Sequence, residues 1–218
     1  MTSLVPLLLK DIERITTELI SHGLSVDQRF PSNRELNSNT LIDWGKHVEL
    51  SIVFKDIDYR ILYDELERER NYNIKLVDGA LLQMMYTVSN NRIVKHRLAF
   101  FPCPYLEKFQ NDPDIYSRYD LYADCLAKNI VPIPIRFDFD EEVHDEIHAK
   151  SHASFGQYKN CRIPVWGPLS PTDFVEFILK NFYATAYHNY SLNFKSDIVL
   201  NRTIVALEES GIHFNAQR

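Results

Sequence analysis

The chain has 218 residues, enough to bury a substantial core, and its 45% hydrophobic and 25% charged residues are the proportions of a globular protein. A net charge of -6 excludes a non-specific nucleic-acid binder, whose affinity rests on many Lys and Arg at phosphates, yet leaves room for one local basic groove. Only 6 glycines occur, with neither GxGxxG nor GxxxxGK[ST], so the common nucleotide-cradling loops are out.

Residues 3–22 are predicted as an amphipathic helix. Leu4, Leu8, Ile12, Ile15 and Leu19 recur at helical spacing, Pro6 falls in the tolerant first turn, and Gly23 supplies the stop. The polar stretch to about Asn39 reads as a surface loop with solvated Arg29 and Arg34. Residues 48–54 have a strand's composition; residues 59–70 read as a charged helix that turns Ile61, Leu62 and Leu66 inward.

Two apolar runs then flank Asn90-Asn91, a pair that tolerates the left-handed geometry of a tight hairpin turn. A two-residue loop sets Val88 opposite Ile93 and Met85 opposite His96. Leu82, Met84, Tyr86, Val88, Ile93 and Ala99 then share one face, and Leu81, Met85, Val94, Leu98 and Phe100 the other. Two apolar faces place this hairpin centrally, with His96 as a hydrogen-bonded core histidine.

Helical spacing resumes over 114–128 through Ile115, Tyr119, Tyr122 and Leu126, and residues 131–140 follow as a strand with its prolines at the start. Ser170-Pro171-Thr172-Asp173 is a capping-box pattern ahead of Phe174, Phe177, Ile178 and Phe182. Ser196 or Asp197 is placed to cap a last helix through Leu200, Ile204 and Leu207 to Gly211. The expectation is one α+β domain over 1–218: an antiparallel sheet with a central hairpin, flanked by N-terminal and C-terminal helices.

Cys103, Cys125 and Cys161 fit neither a zinc pattern nor a disulfide framework, and read as reduced, mostly buried thiols. The first residues lack a basic leader and no later run approaches a membrane span, so a cytoplasmic protein with no membrane contact is expected.

The chemistry concentrates in residues 136–183. Strand alternation puts Arg136, Asp138 and Asp140 on one face, with Phe137 and Phe139 on the other. His144, His148 and His152 recur every fourth residue, a shared face if the segment is helical. A metal set of Asp138, His148 and His152 lacks the HExxH order and a nearby Cys, so no metal or cofactor is expected. Two imidazoles that titrate near neutral pH suit general acid and base, and the planar fork of Arg162, aided by Arg136, suits a phosphate. That is the minimum set for metal-independent RNA cleavage through the 2′-hydroxyl. In the architectural reading, the same side chains hold the following turn through hydrogen bonds. Cys161 beside His152 would be a nucleophile in one reading and a packed thiol in the other.

The series His148, Ser151-His152, Gly156, Cys161-Arg162-Ile163-Pro164, Pro168, Ser170-Pro171, Phe174, Phe177-Ile178 and Phe182-Tyr183 resembles an uncharacterised bacterial family known only as a domain of unknown function. Its members carry Pro after the first of these histidines, where this chain has Ala149. The resemblance implies a neighbourhood of phage-defence or toxin-antitoxin genes and carries over no catalytic residues. Two expectations follow. One is an effector acting on RNA or other nucleic acid through His148, His152, Arg162, Arg136 and Asp138; the other is a non-catalytic subunit that binds a protein partner encoded nearby.

Overall fold

The structure, a computed structural model, describes residues 3–45, 57–105, 114, 124, 133–143, 148–158, 160–192 and 194–215. The first helix, α1 (Leu4–Ser21), buries Leu8, Ile12, Ile15 and Leu19 along one stripe. It stops where expected: Gly23 takes a φ of 70°, and the N–H groups of Gly23 and Leu24 bond back to the carbonyls of Ile20 and Leu19.

Nine strands follow among the described residues: β1 (Ser25–Gln28), β2 (Ser32–Leu36), β3 (Asn39–Asp43), β4 (Ile74–Leu76), β5 (Leu81–Ser89), β6 (Arg92–Phe101), β7 (Ile135–Asp140), β8 (Ser151–Phe155) and β9 (Ile163–Pro164). Among the described residues they form one antiparallel sheet in the order β1-β4-β5-β6-β7-β8-β9. β3 pairs with the far end of β5, and β2 lies outside β3. With helices at both ends of the chain, the architecture is α+β around a central hairpin.

Four further helices among the described residues are α2 (Tyr59–Arg68), α3 (Pro171–Phe182), α4 (Ala184–Asn189) and α5 (Ala206–Glu209). The capping box at α3 is as predicted: Ser170 Oγ accepts from the Asp173 N–H at 3.1 Å, and Asp173 Oδ2 accepts from the Ser170 N–H at 3.2 Å. α1 and α3 pack on one face of the sheet, against Leu82, Met84, Tyr86, Leu98, Phe137 and Phe139. α2 packs on the other face, where Leu62, Tyr63 and Leu66 meet Leu81, Ala99 and Phe101. Among the described residues no helix is long and apolar enough to cross a membrane.

Three expectations need correcting. The supposed loop over 24–39 is strand: β2 and β3 form a hairpin whose turn, Asn37-Ser38, takes φ values of 48° and 67°. Its two arginines are tied down, since Arg34 pairs with Asp43 at 2.8 Å and Arg29 Nη1 donates to the Arg70 carbonyl.

The central hairpin has the expected Asn90-Asn91 turn (φ 48° and 60°) and the expected Val88–Ile93 pair, but a bulge follows. Thr87 pairs with Lys95, which leaves Val94 unpaired, and the register beyond slips so that Met85 faces Arg97 and Tyr86 faces His96. One extra residue inverts every later side chain. Leu98 and Phe100 therefore join Leu82 and Met84 on the α1 face, and Ala99 joins Leu81 on the α2 face.

The predicted last helix shrinks to Ala206–Glu209. Tertiary bonds claim the stretch before it: Ser196 Oγ donates to Asp11 Oδ2, and the N–H groups of Thr203 and Ile204 both donate to the Trp166 carbonyl. Ile198, Val199, Thr203, Ile204 and Val205 are β-branched, so little helix propensity opposes those bonds. The expected strand over 48–54 lies outside the described residues. So does the helix over 114–128, Asp114 and Asp124 apart.

Asp11 joins three parts of the chain. Its carboxylate accepts from Arg14 at 2.6 Å, from the Thr172 N–H at 3.2 Å and hydroxyl at 2.9 Å, and from the Ser196 hydroxyl at 3.3 Å. Asp11→Ala leaves the buried Thr172 N–H without its acceptor and Arg14 without its carboxylate, and should lower unfolding free energy by about 3 kcal/mol in urea titrations.

His96 is buried between Tyr86 and Phe139, and its Nε2 accepts from the Leu169 N–H at 3.0 Å. That bond needs an unprotonated Nε2, so the neutral ring carries its proton on Nδ1. Burial pulls its pKa down to about 4, with the Asp138 charge opposing. Between that value and roughly 6.5, the ordinary histidine value, the unfolded chain binds the extra proton. His96's contribution is therefore complete above about pH 6.5 and is lost as pH falls towards 4. Unfolding free energy should drop by about 2 kcal/mol more between pH 7 and 5 in the native chain than in His96→Gln.

Candidate functional site

β7 alternates as predicted, with Phe137 and Phe139 inward on the α1 face and Arg136, Asp138 and Asp140 on the other. The ladder carries that polar face outward from β6. Arg97 stands opposite Asp138, Asp138 opposite His152, and His152 opposite Pro164. The next row runs Ala99, Arg136, Ser154, and continuing the β8–β9 register by one residue sets Arg162 beside Ser154. Side chains of the same parity share a face, so Arg97, Arg136, Asp138, His152 and Arg162 form one cluster. Among the described residues α2 covers the β5–β6 half of this face, and no helix covers the β7–β9 half.

The charges act on one another. Arg97 Nε donates to Asp138 Oδ1 at 3.0 Å, an ion pair whose members are 34% and 19% exposed. Burial works to raise the Asp138 pKa, but Arg97 and Arg136, with the Arg97 hydrogen bond, hold the carboxyl below its usual range. Asp138 is thus a carboxylate at neutral pH. Arg136 is pushed the opposite way: burial lowers its pKa and Asp138 opposes, while the like charges of Arg97 and Arg162 add to the lowering. Arg136 and Arg162 form no ion pair within 4.0 Å among the described residues. Among the described residues three guanidiniums therefore face one carboxylate, on a chain that is acidic as a whole.

His152 is the group able to move a proton. Its Nδ1 lies 3.0 Å from the Ala149 carbonyl oxygen, an atom that only accepts, so Nδ1 carries the hydrogen and Nε2 the lone pair. Burial lowers its pKa; Asp138 and the Ala149 bond oppose, and Arg162 and Arg136 reinforce the lowering. The imidazole is neutral at pH 7, with a basic Nε2 in a cationic setting.

The helical spacing read into the histidines does not apply. His152 lies in a strand and His148 just ahead of it, half-buried, so four residues do not return them to one helical face. His144 lies outside the described residues. No group of three His, Cys, Asp or Glu that could hold a metal ion occurs among the described residues. Asp140 pairs with Lys95 at 2.8 Å. Cys161 and Cys103 are half-buried, not fully buried, and Cys161 Sγ accepts from the Phe155 N–H; Cys125 lies outside the described residues.

Arg97 is the residue that sequence reasoning missed. Without the bulge it belongs to the opposite face. The signal was present: Lys95 and Arg97 share parity with each other, whereas His96, Leu98 and Phe100 are apolar or buried, a pattern that fits only if parity breaks after Ile93. On the helical side of the sheet, a cavity of about 250 Å³ lies among Phe137, Val165, Leu169, Phe177, Phe214 and Lys180, away from the charged cluster.

The cluster predicts opposite shifts at His152. Asp138→Asn removes a charge that raises its pKa, so the midpoint of its C–H proton resonances should fall. Arg162→Gln removes a charge that lowers it, so the midpoint should rise. Two unmoved midpoints would mean that these groups do not share a site.

Residues 24–216 match the family described as "Uncharacterized conserved protein (DUF2290)". No curated protein and no solved structure matches the chain.

Proposed function

The chain belongs to that family of uncharacterized conserved proteins, and we propose that its charged sheet face binds the phosphodiester backbone of RNA and cleaves it without a metal. The observation that carries this reading is the pairing of two guanidiniums, which form no ion pair among the described residues, with a neutral imidazole whose Nε2 bears the lone pair. Arg136 and Arg162 take the phosphate oxygens as bidentate donors. His152 Nε2 removes the proton from the 2′-hydroxyl, the 2′-oxygen attacks phosphorus, and the bond to the 5′-oxygen breaks. His148 serves as the acid that protonates the departing 5′-oxygen. The products are a 2′,3′-cyclic phosphate and a 5′-hydroxyl, with no change in oxidation state. Arg97 and Asp138 are positioning residues: the carboxylate stabilises the imidazolium as it forms, and Arg97 fixes the carboxylate.

On this reading the chain is a cytoplasmic effector of a bacterial defence or toxin-antitoxin locus, and a protein encoded nearby restrains it. The family resemblance along His148, His152, Arg162 and the Ser170-Pro171 cap is what suggests that setting. A second reading is favoured by the bonds that hold the same groups: Ala149 fixes His152, and Arg97 engages Asp138, as an architectural role would require. The face would then receive an acidic partner and carry out no reaction.

Cleavage of a labelled single-stranded RNA in the presence of a chelator separates the two. The catalytic reading expects 2′,3′-cyclic phosphate ends and a loss of at least about 100-fold in rate for His152→Ala. Growth arrest on expression in bacteria should disappear with the same substitution while the protein stays folded. Intact RNA and harmless expression of the native chain would establish the non-catalytic subunit instead.

A further inference from the structure

β8 carries two serines whose hydroxyls are treated differently. Ser151 and Ser154 are each only 4% exposed. Ser151 turns to the apolar layer with Ala153 and Phe155, and its Oγ donates to the Gly167 carbonyl at 2.7 Å. Ser154 turns the other way. The β7–β8 ladder runs from the Ile135–Phe155 pair to the Phe139–Ser151 pair without a shift, so Ser154 shares the charged face with His152 and stands opposite Arg136.

The Ser154 hydroxyl forms no hydrogen bond among the described residues. Other buried hydroxyls are engaged: Thr16 with the Ile12 carbonyl at 2.7 Å, Ser170 with Asp173 at 2.6 Å, and Thr172 with Asp11 at 2.9 Å. A hydroxyl taken out of water without a partner destabilises the fold, and an alanine in its place would not.

Two arginines flank it. Arg136, half-buried, is its cross-strand neighbour, at the roughly 5 Å Cβ spacing of paired strands. Arg162 stands one residue before β9, on the other side of β8, and its charge acts on both Arg136 and His152. Neither arginine forms an ion pair among the described residues. A serine between two arginines sets a short donor at the base of the gap and two long donors above it. A tetrahedral phosphoryl group can turn one oxygen down to the hydroxyl while others meet the guanidiniums. A carboxylate has both oxygens in one plane, and once the arginines hold them only its carbon is left to face the serine.

Building on the phosphate reading above, we infer that Ser154 is the third ligand of that site: its hydroxyl donates to a phosphoryl oxygen held between Arg136 and Arg162, and makes the site select phosphate over carboxylate. Among the described residues the fold gives that donor no other use. The selection works against an acidic protein partner, whose charges are carboxylates.

Ser154→Ala in the full-length chain tests this, because it removes one oxygen and little else. In Tris chloride, free of oxyanions, the variant should melt about 2 °C above the native chain, since an unpaired buried hydroxyl is gone. Inorganic phosphate, dimethyl phosphate and acetate are then titrated separately, with the His152 ring C–H resonances followed by NMR. Ser154→Ala should weaken both phosphates by about tenfold and leave acetate unchanged. A lower melting temperature, unchanged phosphate binding or an equal loss for acetate overturns the inference. Arg136→Gln and Arg162→Gln judge the phosphate reading separately. It falls, and the role of Ser154 with it, if the native chain binds neither phosphate or if both arginine variants bind them as tightly as the native chain. If the arginine variants lose binding and Ser154→Ala does not, the phosphate reading stands and the role of Ser154 falls. Dimethyl phosphate carries the diester group of RNA. A native chain that binds inorganic phosphate alone, and binds it more weakly as Ser154→Ala, keeps the third ligand but contradicts the RNA-backbone reading.

Discussion

The fold is governed by how a two-faced sheet disposes of its charges. α1 and α3 cover one face of the sheet with an apolar layer, while among the described residues α2 covers only the β5–β6 half of the other. The strands on the remaining half keep period-2 alternation, so each inward phenylalanine on β7 obliges an outward neighbour that tolerates a polar setting. Those neighbours are ionised, partly buried and packed on adjacent strands. A half-buried arginine is stable only if an opposing charge compensates it, and among the described residues the Arg97–Asp138 pair supplies that compensation. Among the described residues, one carboxylate stands against three guanidiniums.

The bulge at Val94 sets this arrangement. Without it Arg97 would turn to the α1 side, where its charge would lie against Tyr86 and Phe139, and Asp138 would face its arginines with one fewer. With it, His96 takes the inward position, accepts from Leu169 and stays neutral, which suits a ring closed off from water. Two histidines of similar intrinsic chemistry thus acquire different roles through parity. His96 fastens the core, and His152, one strand beyond β7 on the charged face, presents a basic nitrogen to the cluster.

Local signals made much of this legible. The helix periodicity of α1, its glycine stop, the Asn90-Asn91 turn and the Ser170 capping box are decided by residues within one turn of each other, and the structure follows them. The face shared by Arg136 and Asp138 is equally local, because it needs only strand alternation. What depends on distant partners could not be read in advance. Ser196 caps no helix because its hydroxyl reaches Asp11, 185 residues away, and the carbonyl of Trp166 draws in Thr203 and Ile204. The histidine spacing misled for a related reason: a four-residue repeat means a shared face only on a helix, and pairing with β7 makes the segment from Ser151 a strand. Arg97 was hidden by a single unpaired residue.

The central claim is that Arg136 and Arg162 are poised for an anion while Arg97 is already engaged. Arginine Nε–H resonances recorded by NMR during addition of inorganic phosphate test it directly. The signals of Arg136 and Arg162 should move together and saturate, with that of Arg97 held in place by Asp138. If those two signals stay still, or move no more than the signals of Arg68 and Arg202 on the protein's periphery, the charged face is a solvated surface and the account is wrong.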